Sequence, residues 1–201
     1  MENNNNQIGN KNAVTKTKTQ KSLESLWDLI KFALIAVIIV VPIRMFIAQP
    51  FVVSGESMFP TFNDGEYLIV DEISYILGNP HRGDVIIFHY PNDTKRFFIK
   101  RIIGMPNEEI SINHGKVKII NKENPDGFTL DEPYIDEQFN TTASYKTGND
   151  EFFVMGDNRN KSSDSRTWGL LPSNLIVGRA YLRLLPAKNI SYLPGYYKLD
   201  K

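Results

Sequence analysis

The sequence predicts a mainly β protein, built of antiparallel sheets and preceded by one N-terminal transmembrane helix. Three observations carry that expectation. One apolar run, and no other, reaches the roughly 20 residues that span a bilayer. From Gln49 onward, short segments rich in β-branched and aromatic residues alternate with turn residues. No segment of that later part shows a long 3.6-residue period.

The elements follow in order. Residues 1–25 are polar, open with Asn3 to Asn6 and carry Lys11, Lys16, Lys18 and Lys21 against Glu2 and Glu24. With so little to bury, they are expected to form a flexible cytoplasmic tail. Residues 26–48 are expected to be the transmembrane anchor. Their centre, Phe32 to Ile43, holds no charge, Lys31 and Arg44 can snorkel to the headgroups, and Trp27 suits the interface. A cleaved leader is disfavoured: before a cut after Ala48, the residue two positions earlier is Phe46, not a small one. Lysines on the N-terminal side favour an N-inside orientation, which places residues 49–201 outside the cytoplasm.

Strands are expected at Glu66–Val70, Asp84–Tyr90, Arg96–Ile103, Glu151–Met155 and Leu175–Leu185. Glu109–Asn113 and Lys116–Ile120 alternate around His114-Gly115, a hairpin pattern. Asn121–Asp150 is rich in Asn, Asp, Thr and Pro and is read as a long loop or small excursion.

Composition removes several functions. The chain has no cysteine, which excludes a thiol nucleophile, a disulfide framework and a cysteine zinc site. His81, His89 and His114 lack metal-ligand spacing, so neither a metal nor another cofactor is expected. The 23 basic and 23 acidic residues balance, and nothing points to a nucleic-acid partner.

Lys100 lies within an apolar, strand-like segment. On a strand, Phe98, Lys100 and Ile102 share one face and Phe97, Ile99, Arg101 and Ile103 the other, so at least one of the two adjacent cations must approach the core. Burial lowers a lysine pKa, and a neutral amine can act as general base to a serine hydroxyl. Taken alone, Lys100 also fits a snorkelling lysine on an edge strand. Ser57 follows the anchor by about ten residues, after Gly55 and before Pro60. Taken alone it also fits an ordinary turn serine. It belongs neither to an SxxK motif nor to a GxSxG elbow. A third segment, Met155 to Gly169, holds two aspartates, two arginines and three serines, and suits either a solvated loop or a buttress of ion pairs.

Together these segments resemble the motif boxes of bacterial type I signal peptidases, membrane-anchored Ser-Lys endopeptidases. Ser57-Met58-x-Pro60-Thr61 is similar to the nucleophile box, Lys100-Arg101-Ile102-Ile103-Gly104-Met105-Pro106 to the general-base box, and Gly156-Asp157-Asn158-Arg159 with Ser162, Asp164, Ser165 and Arg166 to the last box. They occur in the family's order after one anchor. The resemblance implies that Ser57 is the nucleophile, Lys100 the general base and Ser162 the residue that orients the lysine. It implies structural roles for Asp157, Arg159, Asp164 and Arg166, and pocket roles for Met58, Phe98 and Ile99. Two departures stand out: Gly55 occupies the position where many members from double-membrane bacteria carry a serine, and Pro106-Asn107-Glu108 replaces Pro-Gly-Asp. The short connection between the last two boxes resembles the compact, Gram-positive-like form. The implied partners are signal-peptide-bearing precursor proteins, membrane lipid and, by proximity, the export translocon. Two other readings remain at this stage: a self-cleaving Ser-Lys repressor, which needs a DNA-binding segment, and a non-enzymatic membrane-anchored β domain that binds export partners.

Overall fold

The computed structural model describes residues 18–46 and 48–199, with side chains described for 26–40 and 49–199. The chain divides into two compact units after Pro42. In the first, α1 (Lys18–Phe46) is a helix of 29 residues. It begins inside the stretch expected as a tail, of which residues 1–17 lie outside the described residues. From Leu26 to Val40 its apolar side chains are exposed on every side of the helix, from 47% at Ile30 to 73% at Phe32. Among the described residues no helix is long and apolar enough to cross a membrane.

The second unit is β. Along the chain come β1 (Ala48–Val52), β2 (Tyr67–Asp71), α2 (Ile73–Leu77), β3 (Val85–Tyr90), β4 (Asp93–Gly104), β5 (Glu109–Asn113), β6 (Lys116–Ile120), β7 (Phe128–Thr129), β8 (Ala143–Lys146) and β9 (Glu151–Met155). Then follow α3 (Ser165–Trp168), β10 (Leu171–Pro172), β11 (Ile176–Leu185) and β12 (Ser191–Tyr192). Among the described residues, eight strands form one sheet in the order β1-β2-β11-β3-β4-β9-β10, with β12 added to β11. Four more form a second sheet, β7-β6-β5-β8. All pairings are antiparallel.

Side-chain pattern explains these positions. Val85, Ile86, Ile87 and Phe88 are all buried, so β3 packs on both faces and lies in the middle of the large sheet. In β5 and β6, Ile110, Ile112, Val117 and Ile119 are buried while Glu109, Asn113, Lys116 and Lys118 face out. The β5–β6 connection is the expected hairpin, with His114 at φ 46° and Gly115 at φ 80°. The 121–150 excursion supplies β7 and β8, the two flanks of the small sheet. β1 carries Pro50, which donates no ladder hydrogen bond and suits the sheet edge where β1 lies.

One detail of pairing sets the surroundings of Lys100. β3 runs beside β4 from Asp93 to Arg101, but β9 covers the other edge of β4 only from Arg101 to Gly104. Lys100 is therefore the first residue of β4 beyond that cover. From there back toward Asp93 no described strand pairs with that edge.

Candidate active site

Ser57 is presented by a turn rooted in the core. The Phe59 amide donates to the Glu56 carbonyl at 3.1 Å, and the Phe62 amide to the Met58 carbonyl at 2.9 Å. The Met58 and Phe62 side chains are fully buried with Val53, Leu68, Val70, Val85 and Ile87. A turn pinned from below leaves the serine at the surface of the core, half-buried. Lys100 comes from β4, and its Nζ donates to Ser57 Oγ at 2.7 Å and to the Ile99 carbonyl at 2.8 Å. Lys100 is 4% exposed. Burial pulls its pKa down to about 8, against the opposing pull of the Asp164 and Asp157 carboxylates.

The segment after β9 closes the site from a third side. The Asn158 amide donates to the Ser57 carbonyl at 3.1 Å. Gly156 makes that approach possible: a Cβ there would stand 2.4 Å from the Ser57 carbonyl oxygen and 2.3 Å from Ser162 Oγ. Ser162, expected to orient the lysine, thus lies against Gly156, near Ser57. Among the described residues its buried hydroxyl makes no hydrogen bond, to Lys100 or to any other group.

The four residues expected as supports form three ion pairs. Asp157 takes Arg101 on both oxygens, at 2.8 and 2.5 Å, and accepts the Thr61 hydroxyl at 2.5 Å. Arg159 is held by both oxygens of Glu132, at 3.2 and 2.5 Å. Asp164 caps α3 and binds Arg166 at 2.8 and 2.7 Å, while also accepting the Gly156 amide at 3.0 Å. Sequence reasoning missed Arg101, Glu132 and Thr61 as partners. Arg101 carried a signal, since it alternates with Lys100 on an apolar strand; Glu132 lies in a polar excursion and carried none.

A groove of about 540 Å³ opens beside the Ser57–Lys100 contact. Its walls include Phe51, Val53, Leu68, Ile87, Phe97, Phe98 and Ile99, and its rim carries Glu56, Arg96 and Lys161. Two of the expected pocket residues, Phe98 and Ile99, line it. Met58 does not; it lies in the core beneath. Among the described residues no group of three or more His, Cys, Asp or Glu is placed to hold a metal ion.

Comparison with known proteins gives a consistent result. The family model described as signal peptidase, peptidase S26, matches residues 26–185. A probable signal peptidase I-1 of Synechocystis sp. is 36% identical over 187 residues, covering 87% of this chain and 92% of that protein. A signal peptidase I of Leptolyngbya laminosa is 37% identical over 190 residues, covering 88% and 89%. A signal peptidase I of Bacillus caldolyticus is 32% identical over 194 residues, covering 89% and 99%.

Proposed function

The chain belongs to the signal peptidase family, peptidase S26, and from that membership we propose that Ser57 and Lys100 are its nucleophile and general base. The protein is a serine endopeptidase that cleaves signal peptides from precursor proteins by a Ser-Lys mechanism. The observation that carries the assignment is the 2.7 Å contact between Lys100 Nζ and Ser57 Oγ in a water-poor setting. With a pKa near 8, a useful fraction of the amine is neutral at neutral pH and can accept a proton.

The reaction follows from that geometry. The precursor adds as an extended segment along the uncovered edge of β4, in the groove between Phe51–Val53 and Phe97–Ile99. Shallow apolar walls there suit small side chains ahead of the cut. Neutral Lys100 takes the Ser57 proton as Oγ attacks the scissile carbonyl. The lysine returns that proton to the leaving amine, and an acyl-enzyme remains. Water, deprotonated by the same lysine, releases it. The backbone amide of Ser57 serves the developing oxyanion. The Gly55 amide is committed elsewhere, to Asp64 at 2.7 Å. Ser162, which packs against Gly156 and makes no hydrogen bond to Lys100, is assigned to orienting the lysine on the resemblance alone, and Asp157, Arg159, Asp164 and Arg166 are assigned to holding the surrounding segment.

Membrane association is consistent with the family, and we assign residues 26–48 as a single-pass anchor with the N-terminus cytoplasmic and residues 49–201 extracytoplasmic. Apolar exposure all round α1 supports this, as does the position of the lysines before it. Membrane lipid and the export translocon are then natural neighbours. The near-complete coverage of the Bacillus caldolyticus relative supports the compact form.

The test is cleavage of a purified precursor carrying Ala-x-Ala before its cut, by full-length protein in detergent, beside Ser57→Ala. Cleavage after the second alanine, abolished in the variant, is expected. Undiminished cleavage by Ser57→Ala would overturn the nucleophile assignment.

A further inference from the structure

Glu56 and Lys161 have no role in the mechanism above, yet they form an ion pair at the mouth of the groove. Lys161 Nζ donates to Glu56 Oε2 at 2.8 Å, between residues 105 positions apart. Each immediately precedes a serine of the site: Glu56 precedes Ser57 and Lys161 precedes Ser162. Both line the groove with Ser57 and Lys100. The side chains are 64% and 63% exposed, and so exposed a pair adds little to folding. Hydrogen bonding to Glu56 raises the Lys161 pKa above the ordinary lysine value, so its ammonium stays charged while Lys100 titrates.

The groove has a direction. Arg96 lies four residues from Lys100 along β4, about 13 Å away on an extended strand. Between them the walls are Phe51, Val53, Phe97 and Ile99, which suit the apolar segment ahead of the scissile bond. The chain after that bond must leave past Ser57. There the ionised groups of the groove lining are Glu56 and Lys161.

We infer that Glu56 and Lys161 form a self-neutralising charge clasp where the first residues of the released chain leave, and that their cancellation makes the enzyme indifferent to the sign of charge at that point. The inference rests on the groove assignment made above. An acidic residue after the cut meets Lys161 with Glu56 beside it, and a basic one meets Glu56 with Lys161 beside it. Neither sign is favoured while the two charges stand together, and removing one exposes the other.

The test uses full-length protein in detergent and matched precursors carrying Asp, Ala or Lys at the first two positions after the Ala-x-Ala cut. The readout is the ratio of kcat/KM for the Asp precursor to that for the Lys precursor, in which any common loss cancels. Wild type should lie within about twofold of unity, Lys161→Ala should favour the Lys precursor by about fivefold, and Glu56→Gln should favour the Asp precursor by a similar factor. The double swap of Glu56→Lys with Lys161→Glu should return the ratio to near unity. Raising the ionic strength to about 0.5 M should erase the preferences of the single variants. Single variants that keep the wild-type ratio, whether or not they slow all precursors equally, would overturn the clasp. Absence of cleavage of every precursor by wild type would instead overturn the groove assignment, and the clasp with it.

Discussion

Lys100 and Arg101 are adjacent on β4 and both buried, at 4% and 0% exposure, yet their partners differ completely. The Arg101 guanidinium is held by both oxygens of Asp157 and also donates to the Gly83 and Gly195 carbonyls, with the Tyr134 ring 3.9 Å away. The Lys100 ammonium has a serine hydroxyl and its neighbour's carbonyl, and among the described residues no ion pair. Arginine cannot shed its proton inside a protein, so burial obliges it to be paired. Lysine can, so burial without a carboxylate partner lowers its pKa. One strand thus carries a carboxylate-paired cation on one face and an unpaired amine with a lowered pKa, the proposed base, on the other, and the placement of Asp157 separates the two.

Removing the unpaired cation tests this most severely. Lys100→Met, close in volume, should lower kcat/KM by at least about a thousandfold, as loss of the proposed general base requires. It should also stabilise the fold. A pKa near 8 means that at pH 7 the folded protein buries a charged ammonium at a cost of about 3 kcal/mol, which methionine does not carry. The wild-type protein should show the same cost as a pH dependence. Between about pH 8 and lysine's ordinary value, the unfolded chain keeps a proton that the folded one has released, so stability rises with pH across that window. Below pH 8 the cost is present in full. Denaturant midpoints for both proteins at pH 7 and pH 10 check this: the advantage of Lys100→Met should shrink at pH 10, and an equal gap at both would show that the ammonium is not the cause.

Removing the partner of the paired cation should act in the opposite sense. Asp157→Ala leaves Arg101 charged and buried and frees the Thr61 hydroxyl, at an expected cost of about 3–5 kcal/mol. Activity should fall with it, because Thr61 lies four residues after Ser57, the proposed nucleophile. Urea unfolding measures the loss. A change below about 1 kcal/mol would mean that Arg101 finds another anion or water, and that the contrast between the two cations is weaker than the geometry implies.

The sequence made one half of this contrast legible and hid the other. β4 was readable because Phe98, Lys100 and Ile102 alternate with Ile99, Arg101 and Ile103, and the pattern required at least one cation to go inward. In fact both do. The partner of Arg101 was not readable, because Asp157 lies 56 residues away and nothing local encodes that pairing. Asp157 and Arg159 fall in one segment of the sequence, but the charged partner of each, Arg101 and Glu132, lies outside it. The same limit hid β1, where Pro50 and the adjoining apolar run masked a short edge strand, and α2, whose five residues are too few to show a helical period. The site residues share a different logic. Ser57, Lys100 and the 156–166 segment come from separate stretches, and their order along the chain, through resemblance, is what proposes them as the site where periodicity could not.

The smallest effect sharpens the comparison by adjusting the environment of Lys100 without touching it. Two carboxylates oppose desolvation at this amine, Asp164 more than Asp157. The acid limb of the pH–rate profile should report the lysine, with activity rising through about pH 8 as the neutral amine forms. Asp164→Asn removes the larger of the two attractions, so the ammonium loses support and the limb should move to lower pH. The neutral side chain can still accept the Gly156 amide through its oxygen, which keeps the site closed, although the pair with Arg166 is lost. A slower enzyme with its limb shifted down would show that the lysine is tuned by this carboxylate across space. A slower enzyme with its limb unmoved would assign Asp164 to holding the α3 segment alone, and would leave burial, opposed by Asp157, to set the difference between Lys100 and a lysine in water.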